Sequence, residues 1–342
     1  MPDVVTFGEA MIRLSPPSFQ RVEQASTFDV HVGGSELNVA VGLSRLGAGC
    51  AWVSRLPRNP LGRLLDGRAR QAGVDTSHVV WSDEGRVGLY FVEFGAAPRP
   101  TAVLYDRAQS AICSMRRDEV DWPRLFAGAK WFHTSGITPA LSEADAAITA
   151  DALRAARAAG LTVSYDLNFR SKLWTPERAR ALQAPLMEYV DILVTAEGDA
   201  GRVFGIFPDN ASERQDFHSI DAGPYRVVAE RLQQRFGFKA VAVTLRGNPS
   251  VWRNTWRALL YAAGRCYVSL EHEVEIVDRI GAGDAFSAGL IYGCLTHQSY
   301  EHALRYGTAC AALKHSHPGD FNWATREDVE ALLEGPNLRI SR

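Results

Sequence analysis

Short runs of apolar, often β-branched residues alternate with longer amphipathic stretches along most of this 342-residue chain. Continuous apolar runs of this kind are typical of strands that are buried on both faces of a parallel sheet. The predicted strands are 4–7, 51–54, 162–165, 192–195 and 240–245. The alternation therefore predicts an α/β protein built on a mainly parallel sheet.

The amphipathic stretches have ordinary helical lengths. They predict helices at 36–46, 61–72, 143–159, 176–189, 225–236, 284–295, 300–315 and 326–333. In the first of these, Leu37, Ala40 and Leu43 share one helical face. Ser35 is the expected N-cap of that helix and Gly47 its expected C-terminal stop.

Two regions break the alternation, at about 10–32 and about 87–107, because strand-like segments follow each other there without helices between them. Segments 87–94 and 101–105 are separated by sequence that contains Gly and Pro, so they predict a hairpin. No linker composition or internal repeat is visible. We therefore expect one domain over residues 1–342, with a small antiparallel β lid formed by these two regions.

Composition excludes several classes of partner. Lys and Arg number 37 against 39 Asp and Glu, so the net charge of −2 provides no basic field for nucleic acid or for anionic lipid. The five cysteines are scattered without C-x-x-C spacing, which indicates reduced thiols and no zinc cluster. The longest weakly polar run, 285–295, is too short to cross a bilayer, and no signal peptide precedes the first strand. We expect a cytoplasmic protein.

The most informative local feature is the start of the helix near residue 284. Gly281, Ala282 and Gly283 are small, so their backbone amides can point together where the helix dipole favours negative charge. Asp284 lies at the same helix start, where those dipoles favour its ionised form. The segment predicts phosphoryl transfer, with Asp284 taking a proton from a hydroxyl group while the amides hold the migrating phosphoryl group.

The alternative is a tight strand-to-helix turn in which Asp284 only caps the helix. A dinucleotide fingerprint is excluded because the third glycine of G-x-G-x-x-G is missing. No Gly-Lys-Ser/Thr sequence of a Walker A loop occurs either.

Two motifs together resemble the PfkB, or ribokinase-like, sugar kinases. Segment 278–284, Asp-Arg-Ile-Gly-Ala-Gly-Asp, is similar to the second signature of that family, and segment 33–40, Gly-Gly-Ser-Glu-Leu-Asn-Val-Ala, is similar to its first. The resemblance runs almost from end to end. It implies a ribokinase-like three-layer α/β/α sandwich with a small β lid, and it implies ATP and Mg²⁺ as cofactors. Activation by a monovalent cation is also compatible with it.

Further segments look most like 2-keto-3-deoxygluconate kinases, namely 88–90, 105–107, 135–137, 166–170 and 314–321. The sugar contacts implied by this resemblance are Gly33, Gly34, Asn38, Tyr90, Tyr105, Arg107 and Arg170. An acidic sugar suits the two arginines, because a guanidinium can hold a carboxylate by paired hydrogen bonds. Alternatively, Arg107 is a solvated strand residue, Arg170 pairs with a surface carboxylate, and the tyrosines belong to the lid core.

The resemblance also assigns nucleotide contacts to Asn168, Thr244, Arg246, Gly247 and Asp320, and a water-mediated magnesium contact to Asp199. Alternatively, Asn168 is a turn residue, Asp320 a cap, and Asp199 a first-turn helix residue.

The chain departs from the family pattern in two places. The glycine-rich turn after the strand that contains Thr244 is replaced by Arg-Gly-Asn-Pro-Ser at 246–250, and segment 196–199 lacks the asparagine of the family's Asn-x-x-Glu motif.

The expected reaction is ATP-dependent phosphorylation of 2-keto-3-deoxygluconate at its terminal hydroxyl, which gives the 6-phosphate. The alternatives are a family kinase for fructose, ribose, 2-keto-3-deoxygalactonate or a nucleoside, and a sugar-binding relative without catalysis. The expected partners are an acidic sugar and ATP. A solvent-facing lid edge could also pair with a second copy in a homo-oligomer.

Overall fold

The computed structural model describes residues 1–209, 220–297 and 299–335. In chain order, the strands are β1 Val4–Phe7, β2 Met11–Ser15, β3 Asp29–Gly33, β4 Cys50–Val53, β5 Arg55–Pro57, β6 Val80–Ser82, β7 Gly88–Glu93, β8 Ala102–Asp106, β9 Trp131–Ser135, β10 Thr162–Asp166, β11 Ile192–Ala196, β12 Ala240–Ser250, β13 Arg253–Ala262, β14 Arg265–Val268 and β15 His272–Glu275. The α-helices are α1 Ser35–Arg45, α2 Pro60–Gln71, α3 Trp122–Phe126, α4 Thr138–Leu141, α5 Glu143–Ala158, α6 Pro176–Leu186, α7 Asp199–Phe204, α8 Gly223–Phe236, α9 Ala282–His297, α10 Tyr300–Lys314 and α11 Arg326–Glu334.

The main sheet has nine strands among the described residues, in the order β14-β13-β12-β11-β10-β9-β1-β4, with β15 also paired to β13. Six neighbouring strands of this sheet are parallel to one another, namely β4, β1, β9, β10, β11 and β12. Strand β13 pairs antiparallel with β12 and begins an antiparallel extension. Each predicted apolar run lies in this parallel part, so the predicted sheet is confirmed. The sequence patterns missed β9, whose polar residues His133, Thr134 and Ser135 are fully buried.

Successive strand residues face two separate cores, which is why the runs are apolar throughout. Val4 packs in the core that contains α1, α9 and α10, whereas Val5 packs in the core beneath α5, α6 and α8. The three layers of an α/β/α sandwich follow from this arrangement. No helix in the described part of the chain is long and apolar enough to span a membrane.

A second, four-stranded sheet has the order β3-β2-β7-β8. It consists of two antiparallel hairpins, β2–β3 and β7–β8, and a parallel pairing of β2 with β7 joins them. We call it the small sheet; it corresponds to the expected lid, and the predicted hairpin of 87–94 with 101–105 is present. Val30 and Leu104 are 48% and 60% exposed on it. A homo-oligomer through this sheet stays a prediction.

Helix α1 differs from the predicted helix at its first residue. The N-cap is Gly34, and the helix already begins at Ser35, so the assignment of Ser35 as N-cap is wrong. The hydroxyl of Ser35 is used instead at the site described below. Gly47 has a φ of +95° just after the helix, which confirms it as the C-terminal stop.

Candidate active site

A cleft of about 630 Å³ lies at the carboxyl ends of β10, β11 and β12, between the small sheet and the start of α9. The carboxyl edge of a parallel sheet is where ligands of such folds bind. The predicted site residues that line it are Gly34, Asn38, Tyr90, Tyr105, Arg107, Asn168, Arg170, Asp199, Thr244, Arg246, Gly281, Ala282, Gly283, Asp284 and Asp320. Gly33 and Gly247 are not among the lining residues. Gly33 lies against Asp320, whose Cγ is 2.5 Å from the position that a Cβ would take.

Asp284 stands in the first turn of α9, and both of its carboxylate oxygens are hydrogen-bonded. Ser35 donates its hydroxyl to Oδ1 at 2.8 Å, and Asn38 donates Nδ2 to Oδ2 at 2.7 Å. Removal from water raises the pKa of Asp284 above its ordinary value, while Asn38, Ser35 and Arg170 oppose that shift. The expectation that its helix position favours the ionised form is therefore overridden by desolvation. A raised pKa brings a base closer to neutral pH, where proton transfer is efficient.

Ser35 links Asp284 to a third segment of the chain. Its Oγ accepts a hydrogen bond of 3.0 Å from Asn168 Nδ2, while its own proton goes to Asp284. Asn168 has a left-handed φ of +40°, and its amide donates to Asp166 at 3.1 Å. Asn168, predicted to bind nucleotide, thus orients the candidate base through Ser35. Sequence reasoning missed Ser35 at this site, although it lies inside the first signature.

The turn before α9, whose amides are predicted to hold the phosphoryl group, requires glycine at residue 281. Gly281 has a φ of +86°, and a Cβ there would lie 2.1 Å from the carbonyl oxygen of Asp320. Only glycine fits both conditions. The amide of Ala282 donates to Arg279 at 3.4 Å, so this amide is partly used inside the turn. The amides of Gly283 and Asp284 belong to the first helical turn, which leaves amides without helical acceptors.

Two more carboxylates lie near Asp284. Burial, followed by the charges of Asp284 and Asp199, raises the pKa of Asp166 to about 8. Asp199 is 5% exposed, and it accepts a hydrogen bond from the amide of Phe169 at 3.2 Å. Asp166 was not predicted to have a role. Mutual repulsion of this kind would be relieved by a divalent cation.

The carboxylates of Asp166 and Asp199 are compatible with a Mg²⁺ ion that is bound largely through water. Mg²⁺ keeps several waters and uses one or two protein carboxylates together with phosphate oxygens. The described residues contain no group of three or more His, Cys, Asp or Glu side chains placed to hold a metal ion by themselves. Asp166 and Asp199 would then contribute the negative charge, and the donor phosphates would complete the shell.

The two arginines predicted to hold an acidic sugar have different surroundings. Arg107 donates Nε to Oε2 of Glu9 at 2.9 Å, and its Nη2 contacts the same oxygen, so this guanidinium is already paired. Its side chain is only 10% exposed, which excludes a solvated strand residue. Arg170 is exposed, donates to the carbonyl of Phe169 at 3.2 Å, and has no ion pair within the described part of the chain. Arg170 is therefore the freer of the two.

The small sheet contributes Tyr90 and Tyr105, whose rings stack with centroids 5.8 Å apart. Tyr90 is 4% exposed and donates its hydroxyl to Asp320 in a short hydrogen bond. Asp320, predicted to bind nucleotide, is thus bonded to the small sheet. Thr244 and Arg246 line another part of the cleft, where Arg246 lies over the ring of Trp256 and 3.9 Å from Glu197.

The family model of pfkB family carbohydrate kinases matches residues 1–325 of this chain. The chain belongs to the PfkB family of carbohydrate kinases. Both glycine-containing motifs lie within the matched range, so the resemblance inferred from them is confirmed.

Relatives within the family match this chain over nearly its whole length. It is 41% identical over 340 residues to a 2-dehydro-3-deoxygalactonokinase of Haloferax volcanii, covering 99% of each chain. It is 32% identical over 334 residues to a 2-dehydro-3-deoxygluconokinase of Bacillus subtilis, covering 97% of this chain and 95% of the other. The crystal structure of a 2-dehydro-3-deoxygluconokinase from Thermotoga maritima superposes with a TM-score of 0.92 at 42% identity, covering 98% and 100%.

These likenesses confirm the ribokinase-like fold that the motifs implied. They also establish the chain as a PfkB-family carbohydrate kinase. The role of each individual residue in the cleft remains a prediction.

Proposed function

We propose that this chain is an ATP-dependent kinase for 2-keto-3-deoxy sugar acids. The acceptor would be the terminal hydroxyl of 2-keto-3-deoxygluconate, also named 2-dehydro-3-deoxygluconate, which would give the 6-phosphate. Relatives named for the gluconate and for the galactonate substrate support both epimers, which we propose as alternative substrates. The observation that carries the proposal is Asp284, held by Ser35 and Asn38 at the anion-binding start of α9, in a cleft that also contains Arg170.

Asp284 would accept the proton of the sugar hydroxyl as that oxygen attacks the γ-phosphorus of ATP in line. The bond from the γ-phosphorus to the bridging oxygen then breaks and ADP leaves. Amides at the start of α9 would receive the negative charge of the transferring phosphoryl oxygens. Kinases of this family use ATP with Mg²⁺, which supplies charge neutralisation on the donor phosphates. Asp166 and Asp199 would hold that ion through water.

The small sheet would cover the sugar during transfer. Tyr90, Tyr105 and Arg107 line the cleft from this side, and their position over the acceptor would exclude water that could otherwise take the phosphoryl group. The Glu9–Arg107 pair would fix the guanidinium before the sugar arrives, which lowers the ordering cost of binding.

Arg170 is proposed to bind the sugar carboxylate. Arg170→Gln should raise KM for the acidic sugar about tenfold or more, with a smaller change in kcat, because a hydrogen bond to a charged group contributes about 1.5–3 kcal/mol. Initial-rate kinetics against sugar concentration measures this. Arg178→Gln is the matched control, since Arg178 is an exposed arginine that pairs with Glu143 instead. Equal KM values in wild type and Arg170→Gln would remove Arg170 from the sugar site.

The proposed function is tested by ADP release from Mg-ATP with a panel of acceptors at matched concentrations. The panel contains 2-keto-3-deoxygluconate, 2-keto-3-deoxygalactonate, fructose, ribose and adenosine. Selective turnover of one or both keto-deoxy acids is expected. Preferential turnover of a neutral sugar would retain the kinase chemistry and remove the acidic substrate, whereas no turnover with any acceptor would contradict the proposal.

A further inference from the structure

Arg13 is a charged residue in the interior, on strand β2 of the small sheet, and only 1% of its side chain is exposed. Its guanidinium meets two carboxylates from distant parts of the chain. Nη2 lies 2.6 Å from Asp278 Oδ2, and Nη1 lies 3.2 Å from Asp320 Oδ1. Nε donates to Ser15 at 2.9 Å, so all three nitrogens of the guanidinium have partners.

The two carboxylates belong to the segments that shape the turn before α9. Asp278 Oδ1 accepts the amide of Ile280 at 3.0 Å, which closes the chain into that turn. Asp278 Oδ2 also accepts the amide of Gly319 at 3.0 Å, which ties the turn to the segment before Asp320. The carbonyl oxygen of Asp320 in turn occupies the space beside Gly281. Arg13 therefore pairs with one carboxylate of the turn and one of the segment packed against it, without lining the cleft itself.

The same residue is placed beside the candidate sugar contacts. Arg13 and Tyr90 are direct neighbours in the parallel pairing of β2 with β7. Tyr90 lines the cleft and donates its hydroxyl to the carboxylate of Asp320 that Arg13 also contacts. The small sheet thus holds the turn through two adjacent side chains, one of which faces the cleft.

Another buried cation nearby does not duplicate this link. Lys314 at the end of α10 is fully buried, and its ammonium group donates to the backbone carbonyls of Asp278 and His317 at 3.2 and 3.3 Å. It contacts backbone oxygens, whereas Arg13 contacts both carboxylates. Among the described residues, Arg13 is also the arginine of the small sheet that contacts Asp278 and Asp320.

We infer that Arg13 is a positioning residue. Through its contacts, the geometry of the anion-binding turn at 278–283 depends on the position of the small sheet. A sugar that binds under this sheet would thereby favour the turn geometry that receives the phosphoryl group, and the two substrates would be coupled. The catalytic consequence of this dependence rests on the proposed function. The dependence of the turn on Arg13 can be measured without turnover.

Arg13→Lys is the decisive variant, because it keeps the positive charge but one ammonium group cannot bridge both carboxylates as the fork does. Arg55→Lys is the matched control. Arg55 is also buried, at 7% exposure on β5, where it donates to Ala111 and Ser114 and lies 3.4 Å from Glu119, and it does not line the cleft. Tyr90→Phe is a third variant, which removes only the hydroxyl that reaches Asp320.

The probe is inorganic tripolyphosphate, whose affinity for the full-length protein is measured by calorimetry at a temperature well below each variant's melting point. Arg13→Lys should bind it about tenfold more weakly than wild type, whereas Arg55→Lys should match wild type, and Tyr90→Phe should shift in the same direction as Arg13→Lys by less. In kinetic assays, Arg13→Lys should also lower kcat, which a purely structural role would leave unchanged.

Equal tripolyphosphate affinity in Arg13→Lys and Arg55→Lys would overturn the inference. If Arg13→Lys shows no folded state, wild-type affinity in Tyr90→Phe would overturn it, and weakened affinity would support it. Lack of turnover by the wild type would contradict the proposed function alone, since the binding comparison still decides the role of Arg13.

Discussion

Asp284→Asn should lower kcat by about 10²–10⁴-fold and leave KM for the sugar nearly unchanged, because the amide keeps the shape of the side chain but cannot accept a proton. Its neighbours Ser35 and Asn38 can still form hydrogen bonds to an amide at this position. Steady-state rates of ADP release at varied sugar concentration give both constants. Turnover close to that of wild type would remove Asp284 as the base.

The matched control is Asp145→Asn. Asp145 is likewise the third residue of its helix, α5, and burial raises its pKa too, to about 7, but it does not line the cleft. It should retain wild-type kcat.

The pH profile supplies an independent check on Asp284. The base must be ionised to act, so kcat of the wild type should fall as the pH drops below the pKa of Asp284. Desolvation raises this pKa, so the fall should begin at a higher pH than for an ordinary aspartate. Asp284→Asn should lose this acid limb. An unchanged acid limb in the variant would assign the ionisation to another group.

Gly281→Ala should reduce both the stability and the activity of the protein. Its φ of +86° costs an L-residue roughly 1–2 kcal/mol, and its new Cβ would lie 2.1 Å from the carbonyl oxygen of Asp320. The clash has to move either the turn or the segment of Asp320. A displacement of about 1 Å can cost about 10²-fold in rate, so we expect a loss of kcat of that order. Thermal unfolding and ADP release measure the two effects.

Gly47→Ala separates backbone strain from the steric clash. Gly47 has a φ of +95°, and nothing lies within 4 Å of the position of its Cβ. This variant should lose stability only through the backbone strain of an L-residue at positive φ, and it should keep its kcat. If Gly281→Ala were as active as Gly47→Ala, close packing against Asp320 would have no part in forming the anion site.

The strands of the parallel sheet could be predicted where burial leaves a continuous apolar run, as in Val4–Phe7 and Ile192–Ala196. Strand β9 is equally buried, but three of its residues, His133, Thr134 and Ser135, are polar. His133 Nδ1 and Trp131 Nε1 both hydrogen-bond to Ser164 Oγ of the neighbouring strand at 2.8 Å. Ser164 lies 31 residues from His133 and 33 from Trp131 along the chain, so no local pattern reports the hydrogen bonds that accompany the burial of β9.

The candidate site also contains residues that local sequence reveals and residues whose roles depend on distant contacts. Gly281 to Asp284 are consecutive, so the anion turn and the candidate base could be recognised together. Ser35 matched a helix cap by local preference, yet its hydroxyl serves Asp284, 249 residues further along the chain. Arg107 suited a sugar carboxylate by its chemistry, but the fold brings it to Glu9, 98 residues earlier. The type of a side chain limits the groups that it can bind, and its neighbours in the folded chain select among them.

Periodicity, glycine preference and contiguous motifs are local properties, so the layered α/β architecture, the family and a predicted anion-binding turn could all be inferred from the sequence. The raised pKa of Asp284 and the burial of Arg13 against two carboxylates arise only in the folded chain. Asp278 and Asp320 lie 265 and 307 residues from Arg13 along the chain. Desolvation and charge pairing depend on distance in space, which exists only after the distant segments have packed together.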